Sequence, residues 1–365
     1  MATRSGDVRT AIVLQGGGAL GAYEFGVLSA LYEQRPGFRP VAVTGVSIGA
    51  ITAAVLGGAS TDPITALDAL WRHKLTVTAP TGPIGLPAAV DRSLALLGNP
   101  GMYELRAGLF TMPWLQTSVY DTAPLRATLA ELVDPEKLNG ADPRVVVGAT
   151  NVGSGEMEFF DRDRPGGLTF EHVAASGSLP PGFPATMIDG QSYWDGGLFA
   201  NTPLSPAIDA LEAAAGGDRD VERELIVVEL FPMRAAIPQT MQEVVARMVQ
   251  LQYTSRLTLD ARFFDKISDV VDLVARVDAA LPANSDIRDD PTYRRVRAYR
   301  RIDHLNVVTS SLPDELSNPS DFSRASIEAR IRAGYADAVA QGIGSPRAPG
   351  LRMGTVAAHV ASVPA

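Results

Sequence analysis

The chain has 365 residues, 46% of them hydrophobic, and a formal charge of −9. That length accommodates one large α/β domain or two smaller ones with a sizeable core, and the acidic balance argues against nonspecific nucleic-acid binding, which needs a basic footprint. With no cysteine in the chain, disulfides, thiolate zinc sites and cysteine nucleophiles drop out together.

The first residues carry no extended apolar stretch of the kind a secretory signal needs, and the longest small-apolar run, Ile48 to Ala59, is too short to span a bilayer. The expectation is a soluble, cytoplasmic protein. Thr10 to Leu14 reads as a short buried strand that empties into Gln15-Gly16-Gly17-Gly18-Ala19-Leu20-Gly21. Apolar residues then recur at Leu20, Tyr23, Val27, Leu28 and Leu31, a helical spacing that ends at Arg35-Pro36-Gly37.

Val41 to Val46 is a second strand, and it runs straight into Gly45-Val46-Ser47-Ile48-Gly49. From Ile48 to Leu56 the chain is rich in alanine and aliphatic residues and predicts a helix. Strand, sharp turn and helix are the context of a nucleophile elbow. A serine at such an apex has strained backbone angles and close neighbours, so Gly45 and Gly49 supply positions without a Cβ. The helix N-terminus then aims free N–H groups at Ser47. This alternation predicts a mostly parallel sheet with helices on both faces and a site at the carboxyl ends of the strands.

The glycine loop has two functional readings. Gly16, Gly18 and Gly21 satisfy GxGxxG, a pyrophosphate-binding pattern, but that reading wants an acidic residue near the end of the second strand, and none is there. Alternatively, Gly16, Gly17 and Gly18 present bare backbone N–H groups to a developing oxyanion.

Asp62-Pro63 caps a helix predicted to run to about Lys74. From Thr76 the periodicity fades into a Pro- and Gly-rich apolar stretch reaching Trp114, which suggests a lid or an acyl-chain groove. Asp121-Thr122 caps a helix from Pro124 to Leu132, Arg144 to Ala149 is a strand, Glu156 to Asp161 is a hairpin strand, and Phe170 to Ala175 is a short helix. Ser178-Leu179-Pro180-Pro181-Gly182-Phe183-Pro184 leads to Tyr193-Trp194-Asp195-Gly196-Gly197, with Asn201 and Pro203 following. An Asp-Gly-Gly at a strand end leaves the carboxylate uncrowded above a tight turn.

Glu224 to Leu230 predicts a further strand, Thr240 to Phe264 one long amphipathic helix, His304 to Thr309 a last strand, and Asp321 to Ala340 a terminal helix with an aspartate cap. Between them, Arg288, Arg294, Arg295, Arg297, Arg300 and Arg301 gather around Tyr293 and Tyr299, either a solvated helix face or a contact for anionic head groups.

Together the glycine triplet, the serine elbow and the Asp-Gly-Gly resemble the patatin-like phospholipase family over roughly Thr10 to Leu230, in order and in spacing; the proline-bearing stretch before Asp195 and the Asn201-x-Pro203 after it are also similar. The resemblance implies a three-layer α/β/α fold and a lipid acyl hydrolase that works through a Ser47–Asp195 dyad, with no cofactor and no metal. It implies an oxyanion hole from Gly16, Gly17, Gly18 and Ile48, with Gly21, Gly45, Gly49, Gly196 and Gly197 shaping the motifs. A lipid ester is the implied substrate, with peripheral contact to a membrane surface. The organisation expected is a catalytic core over 1–231 with a lid-like insertion at about 76–118, a mainly helical part over 232–344 packed on it, and a mobile tail over 345–365. Leu20 departs from the family pattern, in which many members carry a basic residue, and this weakens the phospholipid reading specifically. Two alternatives stand beside the dyad: a Ser-His-Asp arrangement with His304 as base, since Ser47, Asp195 and His304 follow that chain order, and a nucleotide-binding protein that uses Gly16 to Gly21.

Overall fold

The computed structural model describes residues 8–78, 97–216, 221–231, 237–254 and 257–345. The chain opens with strand β1 (Val8–Leu14), helix α1 (Gly21–Gln34), strand β2 (Ala42–Val46), helix α2 (Ile48–Gly58) and helix α3 (Pro63–Asp68), which continues as a π-helical turn over Ala69–Lys74. Strands β3 (Gly98–Asn99), β4 (Tyr103–Leu105) and β5 (Tyr120–Asp121) form a small antiparallel sheet of their own. Then come α4 (Ala123–Leu132), β6 (Arg144–Asn151), β7 (Met157–Phe160), α5 (Phe170–Ser176), β8 (Thr186–Ile188), β9 (Gln191–Asp195), α6 (Leu204–Ala215) and β10 (Glu222–Glu229). Helices α7 (Met241–Tyr253), α8 (Leu257–Ala280) and α9 (Pro291–Ala298), strand β11 (His304–Thr309) and helix α10 (Arg324–Ala340) complete the described chain.

The main sheet has the order β11-β10-β1-β2-β6-β9-β8, with β7 also paired to β6. Its body, from β11 to β6, is parallel, and β7, β9 and β8 add antiparallel pairs. Strands covered on both faces read as unbroken apolar runs, and alternation along them sorts residues between two cores. Ala11, Val13, Leu225 and Val227 pack with Leu204, Ala207 and Leu211 of α6, whereas Ile12, Leu14, Ile226 and Val228 pack with the residues of α1 and α2. The result is the expected three-layer α/β/α architecture. Helix α2 is apolar all round and buried almost throughout, as a helix enclosed on every side must be.

Strand β11 extends the sheet beyond β10, and α10 lies along α1. Residues 304–340 therefore belong to the same layered body as the first strands. Arg330 of α10, wholly buried, donates to the carbonyls of Leu316, Asn318 and Asp321. The loop so held offers the Pro319 carbonyl to the Ala19 amide at 2.7 Å, which fixes the glycine loop from its far side.

Three expectations need correction. The helix expected over 240–264 ends at Tyr253, because Thr254 turns extended at φ −56° and ψ 133°, and a second helix starts at Leu257 and runs to Ala280. The terminal helix begins at Arg324 with Ser323 as its N-cap; Asp321 instead accepts from the Ser323 amide and the Ser326 hydroxyl, closing a turn ahead of the helix. Strands β3 and β4 of the small sheet lie within the stretch expected to be irregular, and β5 follows just after it. Of the lid-like insertion, residues 79–96 lie outside the described residues, as do 346–365 of the expected tail. The described remainder of the insertion exposes Phe110, Met112, Trp114 and Leu115. Among the described residues no helix is long and apolar enough to cross a membrane.

Candidate active site

Strand β2 pairs with β1 through Gly45 and Leu14 and with β6 through Val46 and Gly148, so Ser47 is the first residue beyond the sheet. Its backbone adopts φ 57° and ψ −123°, a conformation that a residue with a side chain reaches only under strain and that clusters at functional sites. The flanking glycines are a steric necessity: a Cβ on Gly45 would lie 2.2 Å from the Gly49 carbonyl oxygen, and one on Gly49 would lie 2.5 Å from that of Leu14. Ser47 begins α2, its carbonyl accepting from the amides of Ala50 and Ile51.

Asp195 ends β9, which pairs with β6 through Ala149. The strand next to β2 thus carries Asp195 on its other side, and both residues emerge at the same edge of the sheet. The Asp195 carboxyl accepts from the Gly197 amide at 2.7 Å and takes the Ser47 hydroxyl as a side-chain hydrogen-bond partner. Only 2% of Asp195 is exposed. Burial pushes its pKa up to about 7, with the Ser47 and Gly197 hydrogen bonds offsetting part of that rise. The Asp-Gly-Gly turn has no room for side chains: a Cβ on Gly196 would meet the Gly148 carbonyl at 2.4 Å, and one on Gly197 would meet Asn201 Oδ1 at 2.9 Å.

The glycine loop closes over the same place. A Cβ built on Gly16 would come within 2.9 Å of the Ser47 Cβ and 2.4 Å of Asn201 Oδ1. Gly18 has φ 56° and faces the Pro319 carbonyl, so glycine is required there on both counts. Among the described residues, the amides of Gly17 and Gly18 have no acceptor, and neither does that of Ile48 at the start of α2. Ile48 directly follows Ser47 in the chain, and Gly17 and Gly18 follow Gly16, which packs against that serine. Side chains are refused all along the loop: a Cβ would meet Ser47 and Asn201 at Gly16, Pro319 at Gly18, and Ile48 and Trp71 at Gly21.

A second ring of residues holds these parts in place. The Ser176 hydroxyl accepts from the Ser47 amide at 2.9 Å and donates to the Gly148 carbonyl at 2.6 Å. Gln15 accepts from the Leu230 amide at 2.6 Å and donates to the Tyr253 carbonyl at 3.0 Å. Asn201 donates to the carbonyls of Gly16 and Tyr253, each at 3.0 Å. The Tyr253 ring packs against Phe231, and the Asp195 charge raises its pKa after burial itself. Asn201 stood in the motif after Asp195; Ser176 and Tyr253 carried no local signal, because their roles depend on which elements meet in space.

His304 is not part of this assembly. It opens β11, level with Glu224 of β10 and hence with Thr10 of β1, whereas Ser47 lies beyond Leu14. At about 3.3 Å per residue the imidazole is roughly 13 Å or more from the serine, at the amino end of the parallel strands. Its Nε2 is 2.8 Å from Glu222 Oε2. The alternative with His304 as base is therefore overturned by sheet register.

A family model described as patatin-like phospholipase matches residues 12–208. The chain belongs to the patatin-like phospholipase family. A second model, described as patatin phospholipase, matches residues 251–341, so the family's imprint extends over β11 and α10. A search of the curated proteins found no match. Among solved structures, the chain is similar to VipD from Legionella pneumophila, at 17% identity and a TM-score of 0.40, over 92% of this chain and 66% of that one. It is also similar to the ExoU–SpcU complex of the type III secretion system of Pseudomonas aeruginosa, at 17% identity and a TM-score of 0.35, over 94% of this chain and 53% of that one. The chain thus spans just under two thirds of the first and about half of the second.

Within this phospholipase family the chain keeps its departure at Leu20. That side chain is buried, so the position contributes packing, not charge, to the glycine loop.

Proposed function

We propose that the protein is a serine acyl hydrolase that cleaves fatty-acyl ester bonds of lipids. The observation that carries this reading is the buried Asp195 carboxyl, raised to about 7 and facing the Ser47 hydroxyl. A carboxylate near its ordinary value of about 3.9 is a feeble base at neutral pH, and one whose pKa lies near the working pH is an effective one.

In this reading Ser47 Oγ attacks the ester carbonyl carbon while its proton passes to Asp195. The oxyanion is held by the amides of Gly17, Gly18 and Ile48, with Gly16 forming the floor beside the serine. When the ester C–O bond breaks, the alcohol leaves with the proton from Asp195, and the acyl group stays on Ser47. Water then attacks the acyl-enzyme, giving its proton to Asp195; the fatty acid departs, and Ser47 regains its hydrogen. Backbone amides suffice for the oxyanion, so the buried Leu20 leaves acyl hydrolysis intact and bears only on how a phosphate-bearing head group is handled.

The test is a head-group and chain-length panel assayed beside short nitrophenyl esters, with Ser47→Ala as control. Long-chain lipid esters should be turned over in preference to acetate, and Ser47→Ala should turn over neither. A folded sample that hydrolyses no ester would defeat the proposal.

A further inference from the structure

Helix α7 meets the site through its last turn. There the Tyr253 carbonyl is held by Gln15 and Asn201, and a Cβ on Gly197 would lie 3.5 Å from the Tyr253 ring. Away from that anchor the helix turns Met241, Val244, Val245, Met248 and Leu251 to solvent, each between 46% and 77% exposed. Spacings of three and four residues put them on one face. Glu243 and Arg247 are the only charged residues of the helix. Leu198 and Phe199, which follow directly on the Asp195 turn, are exposed as well.

We propose that this face of α7, together with Leu198 and Phe199, docks on the surface of a zwitterionic phospholipid bilayer. The purpose of the contact rests on the lipid-ester reading above. Continuity with the site picks out the occupant, because the apolar band starts at the residues that hold Asp195 and the glycine loop, which is where an acyl chain leaving a bilayer must arrive. An amphipathic helix lying in the headgroup region with its apolar side toward the acyl chains fits that geometry. Charge decides which lipid. Four of the six arginines around α9 are matched within the protein: Arg288 and Arg297 pair with Asp278, Arg294 with Asp289, and Arg301 with Asp303. With a net charge of −9 besides, the balance of charge disfavours anionic head groups, and apolar insertion supplies the affinity.

Because the chain lacks cysteine, Val245→Cys accepts an environment-sensitive fluorophore at one place. In a Ser47→Ala background the label should shift to the blue on phosphatidylcholine vesicles, and the shift should survive molar salt. Val245→Asp combined with Met248→Asp should weaken vesicle binding about a hundredfold or more. In the active protein it should lower turnover of vesicle lipid while leaving a short soluble ester unaffected. No shift on phosphatidylcholine, binding only to anionic vesicles at low salt, or burial of the label in a dimer without lipid would each overturn the proposal. Docking by a protein without esterase activity would leave this contact standing and defeat the hydrolase reading alone; ester turnover without docking would do the reverse.

Discussion

The Ser47 amide donates to the Ser176 hydroxyl, and that hydroxyl donates in turn to the Gly148 carbonyl of β6. The strained turn is thereby tied to the strand that lies between Ser47 and Asp195. Ser176→Ala leaves a buried N–H and a buried C=O unpaired, at a cost of about 1–3 kcal/mol in stability. If Ser176 sets the angle at which the serine is presented, kcat should fall while KM stays near its original value. A variant that loses only stability, with kcat intact at a temperature where it is folded, would reduce Ser176 to a packing residue.

The pH dependence of turnover follows from Asp195. As a base it must be ionised, so kcat/KM should rise about tenfold per pH unit below the pKa and level off above about 7. An aspartate in an exposed setting would give a plateau already near pH 5. The pH–rate profile of a soluble ester, whose partition into a surface does not enter, separates these outcomes.

The same carboxyl costs stability. Its folded pKa lies above the unfolded value of about 3.9, so the folded state holds the proton more tightly. The stability this confers is complete below about pH 4 and is lost as pH rises through about 7. A shift of this size corresponds to at most about 4 kcal/mol. Asp195→Asn, which cannot ionise, should therefore be more stable than the parent at pH 8, with the advantage fading toward pH 4. Denaturant unfolding of the two proteins across that range is the check, and a difference that does not vary with pH would contradict the burial argument.

Much of the site was legible in the sequence because its parts are local. Gly45-Val46-Ser47-Ile48-Gly49 and Asp195-Gly196-Gly197 are turns whose steric needs are met by neighbours in the chain, and β1, β2, β6 and β10 each carry a largely apolar run because both their faces are covered. What stayed hidden depends on distant partners. The break at Thr254 has no glycine or proline to mark it; it falls where the end of α7 is captured by Gln15 and Asn201. Asp321 is a good cap by composition, but it serves the turn formed with Ser323 and Ser326. The strands β3 to β5 are only two or three residues long and have no period to read. His304 satisfied a chain-order pattern that register alone could refuse.

The pairing of Ser47 with Asp195 is tested most directly by fluorophosphonate labelling with peptide mapping, in the parent, in Asp195→Asn and in His304→Ala. The label should fall on Ser47, at a rate that rises with pH through about 7. That rate should drop about a hundredfold or more in Asp195→Asn and change little in His304→Ala. Labelling at another residue, or labelling of Ser47 that survives the loss of Asp195 and disappears with His304, would contradict the dyad.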